Sequence, residues 1–156
     1  IHHGAQVNTR APYGETALDY AVRFHRHQAA IQLLETGADP NISDDTGATP
    51  LFRAVTDCNA SEVVEKLLRS GADVNHRDLY HRTPLMGAAR SACVRNVAVI
   101  LDRARDTVQL DAIDDQLMRA SDLAPNGLIP GMLDAAAEKR RGGVERPAAV
   151  KSVRLK

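Results

Sequence analysis

The sequence contains no tryptophan, and aromatic residues make up only 3% of its 156 positions. A core without large rings must be filled by small aliphatic side chains, which argues against a roomy cavity for a lipid or bulky cofactor. Charge of one sign is also missing. Lys+Arg and Asp+Glu both number 20, so no overall field favours nucleic acid or an anionic membrane surface. No apolar run reaches the 18 or more residues that a membrane-spanning helix needs. Only two cysteines occur, Cys58 and Cys93, with neither CxxC nor Cys/His metal spacing. Both are expected to be reduced thiols of an intracellular, cytoplasmic protein.

Catalytic signatures are missing too. There is no GxSxG, no phosphate-cradling GxxxxGK[S/T] and no HExxH. Neither an enzyme nor a cofactor is expected. His2-His3 and His25-Arg26-His27 are the dense histidine sites. An i,i+2 pair in a loop beside arginine is a poor ligand set, so solvated histidines and no metal are expected.

What is present is a repeat. Gly4-Ala5-Gln6-Val7-Asn8, Gly37-Ala38-Asp39-Pro40-Asn41 and Gly71-Ala72-Asp73-Val74-Asn75 are three versions of one pentapeptide, their asparagines 33 and 34 residues apart. A second motif keeps the same beat: Thr16-Ala17-Leu18, Thr49-Pro50-Leu51 and Thr83-Pro84-Leu85, each followed three residues later by Ala21, Ala54 or Ala88. That period belongs to stacked two-helix units. The threonines can accept from the free N–H groups that open a helix. Pro50 and Pro84 sit at the first helical position, where a missing N–H costs nothing. Gly37 and Gly71 follow apolar runs, where a left-handed residue ends a helix. Gly14 and Gly47 mark tight turns between the motifs.

The order G-A-D-V-N, a glycine turn, then T-P-L-x-x-A resembles the ankyrin repeat and covers residues 1 to 109 clearly. The resemblance implies an all-α repeat solenoid, an ankyrin-repeat stack of helix-turn-helix units with projecting hairpin loops. Residues 1–9 read as the end of a preceding repeat, with repeats at 10–42, 43–76 and 77–109. A degenerate capping repeat at 110–141 follows from an offset of 32 that maps Leu85 to Leu117, Met86 to Met118, Ala88 to Ala120 and Leu101 to Leu133. Its second helix is expected to run from about Pro130 to about Arg140. Residues 142–156, with Lys139-Arg140-Arg141 just before them, read as a basic solvated tail. No aromatics interleave there to stack on bases, so no nucleic acid is expected.

Departures from the family pattern mark the turns expected to be looser. The histidine that usually follows T-P-L is Asp19, Phe52 and Met86 here. Ala17 replaces proline, His81 replaces the turn glycine, and Ala104-Arg105-Asp106 stands for Gly-Ala-Asp. Asp44-Asp45 is expected to be a hydrated turn, since the family pattern places an Asp at position 44 for local hydrogen bonds. Cys58 and Cys93 fall near the same inter-helix loop of adjacent repeats. Units stacked about 10 Å apart exceed the roughly 7 Å reach of a disulfide, so the thiols are expected to stay free.

In this family partners lie along the concave face, on finger tips and first helices. Carried over residue by residue, that face comprises Arg10, Tyr13, Glu15, Arg23 and Phe24 in one repeat. The next supplies Ser43, Asp45, Thr46, Arg53 and Asp57, and the third Arg77, Leu79, Tyr80, Arg82 and Arg90. The expected function is non-catalytic recognition of another protein, with an acidic segment favoured by the arginines. The alternatives are a regulatory or substrate-positioning segment of a longer enzyme or channel, and an architectural spacer.

Overall fold

The computed structural model describes residues 6–125 and 127–142. The expectations for His2-His3, for Gly4-Ala5 and for the basic tail from 143 onward lie outside the described residues. The described residues form eight α-helices: α1 (Ala17–Arg23), α2 (His27–Glu35), α3 (Pro50–Ala54), α4 (Ser61–Arg69), α5 (Pro84–Arg90), α6 (Val94–Arg103), α7 (Ala120–Leu123) and α8 (Leu128–Gly142). The all-helical repeat fold expected from the sequence is the one observed.

Each start and stop has a local cause. The hydroxyls of Thr16, Thr49 and Thr83 accept from the N–H of Asp19, Phe52 and Met86 at 3.3, 3.3 and 3.4 Å. In α1 the Asp19 carboxylate closes a capping box, its Oδ2 accepting from the Thr16 N–H at 2.9 Å and from its hydroxyl at 2.7 Å. The acid that replaces the family histidine therefore secures the helix start by another route. Gly37 and Gly71, with φ of 92° and 87°, terminate α2 and α4. The N–H of Ala38 then reaches Leu33 O, and that of Ala72 reaches Leu67 O, both at 3.0 Å. After α6, where glycine is absent, a wider turn closes through the Val108 N–H on Ala104 O. His81 behaves differently from expectation. It adopts φ 56° and donates to Asp78 O at 3.0 Å, as Gly47 (φ 76°) does to Asp44 O at 2.9 Å, so that turn is no looser. The Nδ1 of His81 lies 2.5 Å from Asp115 Oδ1 in the next finger, which helps offset the left-handed backbone.

Helices α1, α3, α5 and α7 form one row and α2, α4, α6 and α8 the other. Leu18, Leu51 and Leu85 are each 0% exposed in the seam between them, with Ala54, Ala88, Leu67, Val97 and Ile100 completing the core. Because no single two-helix unit can cover its own apolar faces, each repeat is stable only against a neighbour. Backbone bonds join the fingers: Asp45 N–H to Tyr13 O, Leu79 N–H to Thr46 O and Asp115 N–H to Tyr80 O. At the opposite end the motif asparagines form a ladder. Asn8, Asn41 and Asn75 each accept, at 2.8 Å, the N–H of Asp39, Asp73 and Gln109 one repeat on.

The last unit corrects the sequence alignment. Asp114 takes the place of Asp78 and Arg119 that of Thr83, an offset of 36 rather than 32. Leu117 therefore occupies the finger position of His81, with φ 61° and 74% exposure, instead of the core slot of Leu85. Two extra residues precede Asp114 and α7 is a single turn, after which Ile129 and Leu133 do fall on the core, 32 residues beyond Val97 and Leu101. Helix α8 starts at Leu128, two residues earlier than expected. Pro130 sits within its first turn, where no intrahelical N–H is needed. Arg140 reaches back to the end of α6, donating to Val108 O at 2.8 Å and to Arg105 O.

The cysteine expectation is also overturned. Cys58 and Cys93 form a disulfide across a Cα–Cα distance of 4.8 Å. The spacing of helix axes was the wrong measure. The loop after α3 and the start of α6 converge, with Asn96 drawing them together through bonds to Val55 O at 3.0 Å and Asp57 O at 2.8 Å. Reduced thiols no longer support an intracellular setting. No helix among the described residues is long and apolar enough to cross a membrane.

Candidate functional site

The fingers and first helices border three clefts that run along the stack. The first, about 540 Å³, is lined by Tyr13, Tyr20, Phe24, Arg23, Asp45 and Arg53, with Glu15, Asp44 and Thr46 behind them. The second is bordered by Val22, His25, Phe52, Thr56, Asp57 and Arg82, and shares Arg23, Thr46 and Arg53 with the first. The third holds Tyr80, Arg82, Arg90, Asp114, Asp115 and Gln116. Shared walls make them one continuous surface.

Ten of the residues expected at a binding face meet here: Tyr13, Glu15, Arg23, Phe24, Asp45, Thr46, Arg53, Asp57, Tyr80 and Arg82, with Arg90 at the far end. Tyr13, Phe24 and Tyr80 are 77%, 56% and 59% exposed. Arg10 is exposed beside Asp45, Leu79 projects from its finger, and Ser43 is half-buried; none of the three lines a cleft. Arg77 lies apart, bordering a different concavity with Thr107–Ile113 and Arg140. Sequence reasoning missed Tyr20 and Phe52. Tyr20 stacks on Phe24 at 6.0 Å, and its i,i+4 spacing from Phe24 on one helix was the available signal. Phe52 faces the guanidinium of Arg82 at 5.2 Å, with Tyr80 on that guanidinium at 4.8 Å, a contact between repeats that spacing does not reveal.

The electrostatics are more balanced than the arginine content suggests. Glu15 is only 3% exposed and binds Arg23 Nη1 at 2.5 Å and Arg53 at 3.7 Å, so it anchors the face instead of meeting solvent. Arg53 also pairs with Asp44. Arg82 pairs with Asp78 through Nε and Nη2 at 2.7 and 2.5 Å. Arg77 and Arg90 make no ion pair among the described residues. Asp44 is buried rather than hydrated. It accepts from Thr46 N–H and Ala48 N–H at 2.8 and 3.0 Å, the local turn bonds expected of it. Burial alone would raise its carboxyl, but the Thr46 hydroxyl, these N–H groups and the Arg53 guanidinium together hold it below the ordinary aspartate value.

Asp57 is held in the same sense. Burial pushes it up, and the Asn59 N–H with the two histidines, His25 and His27, pull it further down. His25 Nδ1 and His27 Nε2 lie 2.7 and 2.9 Å from Asp57 Oδ2, so these are not freely solvated loop histidines.

A family model described as ankyrin repeats, in three copies, matches residues 32–111, and a single ankyrin repeat model matches residues 13–45. The chain is similar to neurogenic locus notch homolog protein 1 of Mus musculus, 39% identical over 117 residues, 74% of the chain and 4% of the relative. For the Danio rerio protein of that name the identity is 38% over 117 residues, 74% of the chain and 5% of the relative. The neurogenic locus Notch protein of Drosophila melanogaster is 47% identical over 94 residues, 59% of the chain and 3% of the relative. The chain thus spans about 4% of the length of the curated relatives it matches.

Proposed function

Because the chain belongs to the ankyrin repeat family, whose members generally bind other proteins, we propose that it is a non-catalytic interaction module. Its partner lies along the three joined clefts. The observation that carries this is the run of exposed rings at Tyr13, Tyr20, Phe24 and Tyr80 beside guanidiniums. Rings fixed on a stack lose little conformational freedom on binding, and Tyr with Arg is the composition of binding hot spots.

The partner segment we favour is acidic with apolar anchors. Arg90 is available to a carboxylate, and Arg10 and Arg23 keep half their side-chain surface in solvent. Internal pairing of Arg23, Arg53 and Arg82 makes the attraction local rather than a broad positive field. Comparing quantitative capture of partners by the wild-type chain and by Tyr13→Ala/Tyr80→Ala tests the reading. Loss of capture with unaltered thermal unfolding supports it, and undiminished capture overturns it. The unit at α7 and α8 serves in this proposal as the cap of the stack. A second reading, a regulatory or positioning segment of a longer enzyme or channel, draws on the small share of the relatives' length that the chain matches.

A further inference from the structure

Three side chains with metal-binding atoms converge from two different repeats. His25, at φ 55°, lies in the loop after α1, and His27 is the first residue of α2. Asp57 comes from the loop after α3. The imidazole nitrogens lie 2.7 and 2.9 Å from the same carboxylate oxygen, and the three ligand atoms all fall within 4.8 Å of one another. The carboxylate is fixed from behind. Its second oxygen accepts from the Asn59 N–H at 2.9 Å, and its backbone carbonyl accepts from Asn96, a fully buried residue of α6, at 2.8 Å. The next residue, Cys58, is tied to Cys93. Asp57 Oδ2 is thereby presented to both rings.

We propose that His25, His27 and Asp57 form a binding site for a divalent transition-metal ion of the zinc type, joining the first helix pair to the second. Two imidazoles and one carboxylate are the donors that suit zinc and not the harder calcium or magnesium. Ligands about 2.0–2.2 Å from a tetrahedral ion stand about 3.3 Å from each other. Both separations from Asp57 have to lengthen by a few tenths of an ångström, and the two histidine side chains, 67% and 32% exposed, have room to turn. The nearby guanidiniums of Arg23 and Arg53 are paired with Glu15 and Asp44 and oppose a cation less than free ones would. With three protein ligands the fourth position is left for water or a partner's side chain. The outer supports on Asp57, from Asn59 and Asn96, are the kind that orient metal ligands.

The test is titration of the full oxidised chain with cobalt(II), without thiol reductant, followed by displacement with zinc(II). The proposal expects visible bands that saturate at one ion per chain and a zinc-dependent rise in the unfolding midpoint. His25→Gln and Asp57→Asn should each weaken zinc binding by at least about tenfold and remove the rise in midpoint. His25 is exposed, so its variant keeps the fold, which circular dichroism verifies. A His2→Ala/His3→Ala variant should bind as the wild type does. Absence of saturable binding, binding undiminished in His25→Gln, or binding lost in the His2/His3 variant would each overturn the proposal.

Discussion

Leu51 and Leu85 occupy equivalent seam positions at 0% exposure, where truncation leaves a cavity between two helix pairs that cannot close independently. Each change to Ala should lower stability by about 2–5 kcal/mol in denaturant unfolding, and unchanged curves for both would refute their register. Asp19 makes a finer residue-scale test. Burial raises its carboxyl against the lowering bonds from Thr16, and its Oδ1 has no hydrogen-bond partner. Asp19→Asn keeps an acceptor for the cap without the desolvated charge, so its neutral-pH stability should lie within about 0.5 kcal/mol of wild type. Asp19→Ala should cost about 1 kcal/mol. The signs for pH follow from the directions of the shifts. Asp44 and Asp57, held low in the fold, contribute stability that is present above the unfolded aspartate value of about 3.9 and lost as pH falls through their folded values. Asp19, held high, contributes in the opposite sense, a stabilisation lost as pH rises through its folded value. Unfolding followed from pH 6 to pH 2 should therefore show a steeper acid loss in Asp19→Asn than in the wild type.

At the scale of elements, the fourth unit shifts its burial from the first helix of the pair to the second. Helix α7 is one turn long and Ser121 stands where Leu85 does in the preceding unit, so most of the burial falls to α8 through Ile129 and Leu133. Arg140 adds bonds to carbonyls beyond α6, where cationic side chains are favoured. Deleting residues 110 to 142 should expose the outer apolar surface of α5 and α6. Light scattering at rising concentration should then show self-association that the intact chain lacks. A deleted chain that stays monodisperse and equally stable would remove the capping role. The second helix of this unit was legible in the sequence, because Leu133 lies 32 residues beyond Leu101, close to the repeat's spacing. Its first helix was not, because two residues inserted before Asp114 and a shortened α7 offset one another in the alignment.

For the whole molecule, the edge formed by the inter-helix loops is cross-linked in series. His25 and His27 meet Asp57 between the first two helix pairs, and Cys58 meets Cys93 between the second and third. The cysteines are 35 residues apart in sequence, and closing a loop of that length restricts the unfolded chain by about 3–4 kcal/mol in the chain-entropy account. Reduction should lower the unfolding midpoint, and Cys58→Ser should lose that difference between oxidised and reduced samples. Intact mass without reductant should be two hydrogens below the reduced mass; finding two free thiols in the unreduced chain would refute the bond. The face proposed for a partner is also a whole-molecule property. Association of an acidic partner should slow as salt rises toward physiological strength, where screening acts over about 8 Å. An association rate indifferent to salt would leave the arginines with only their internal pairing.

The sequence by itself determined the repeat period, the threonine and proline helix starts, the glycine helix stops and the buried leucines. All of these are local backbone requirements or a periodic face, and they act within one unit of about 33 residues. It also placed Tyr13, Phe24 and Tyr80 outside the core. Only the tertiary structure decided which residues of different repeats touch. Stacking brought Arg53 to Glu15, Arg82 to Phe52, the two histidines to Asp57 and Cys58 to Cys93. The physical reason is that such contacts depend on where loops come to rest between packed helices. That position is set by many small terms at once, including the buried bonds of Asn96, and no fixed spacing along the chain records it.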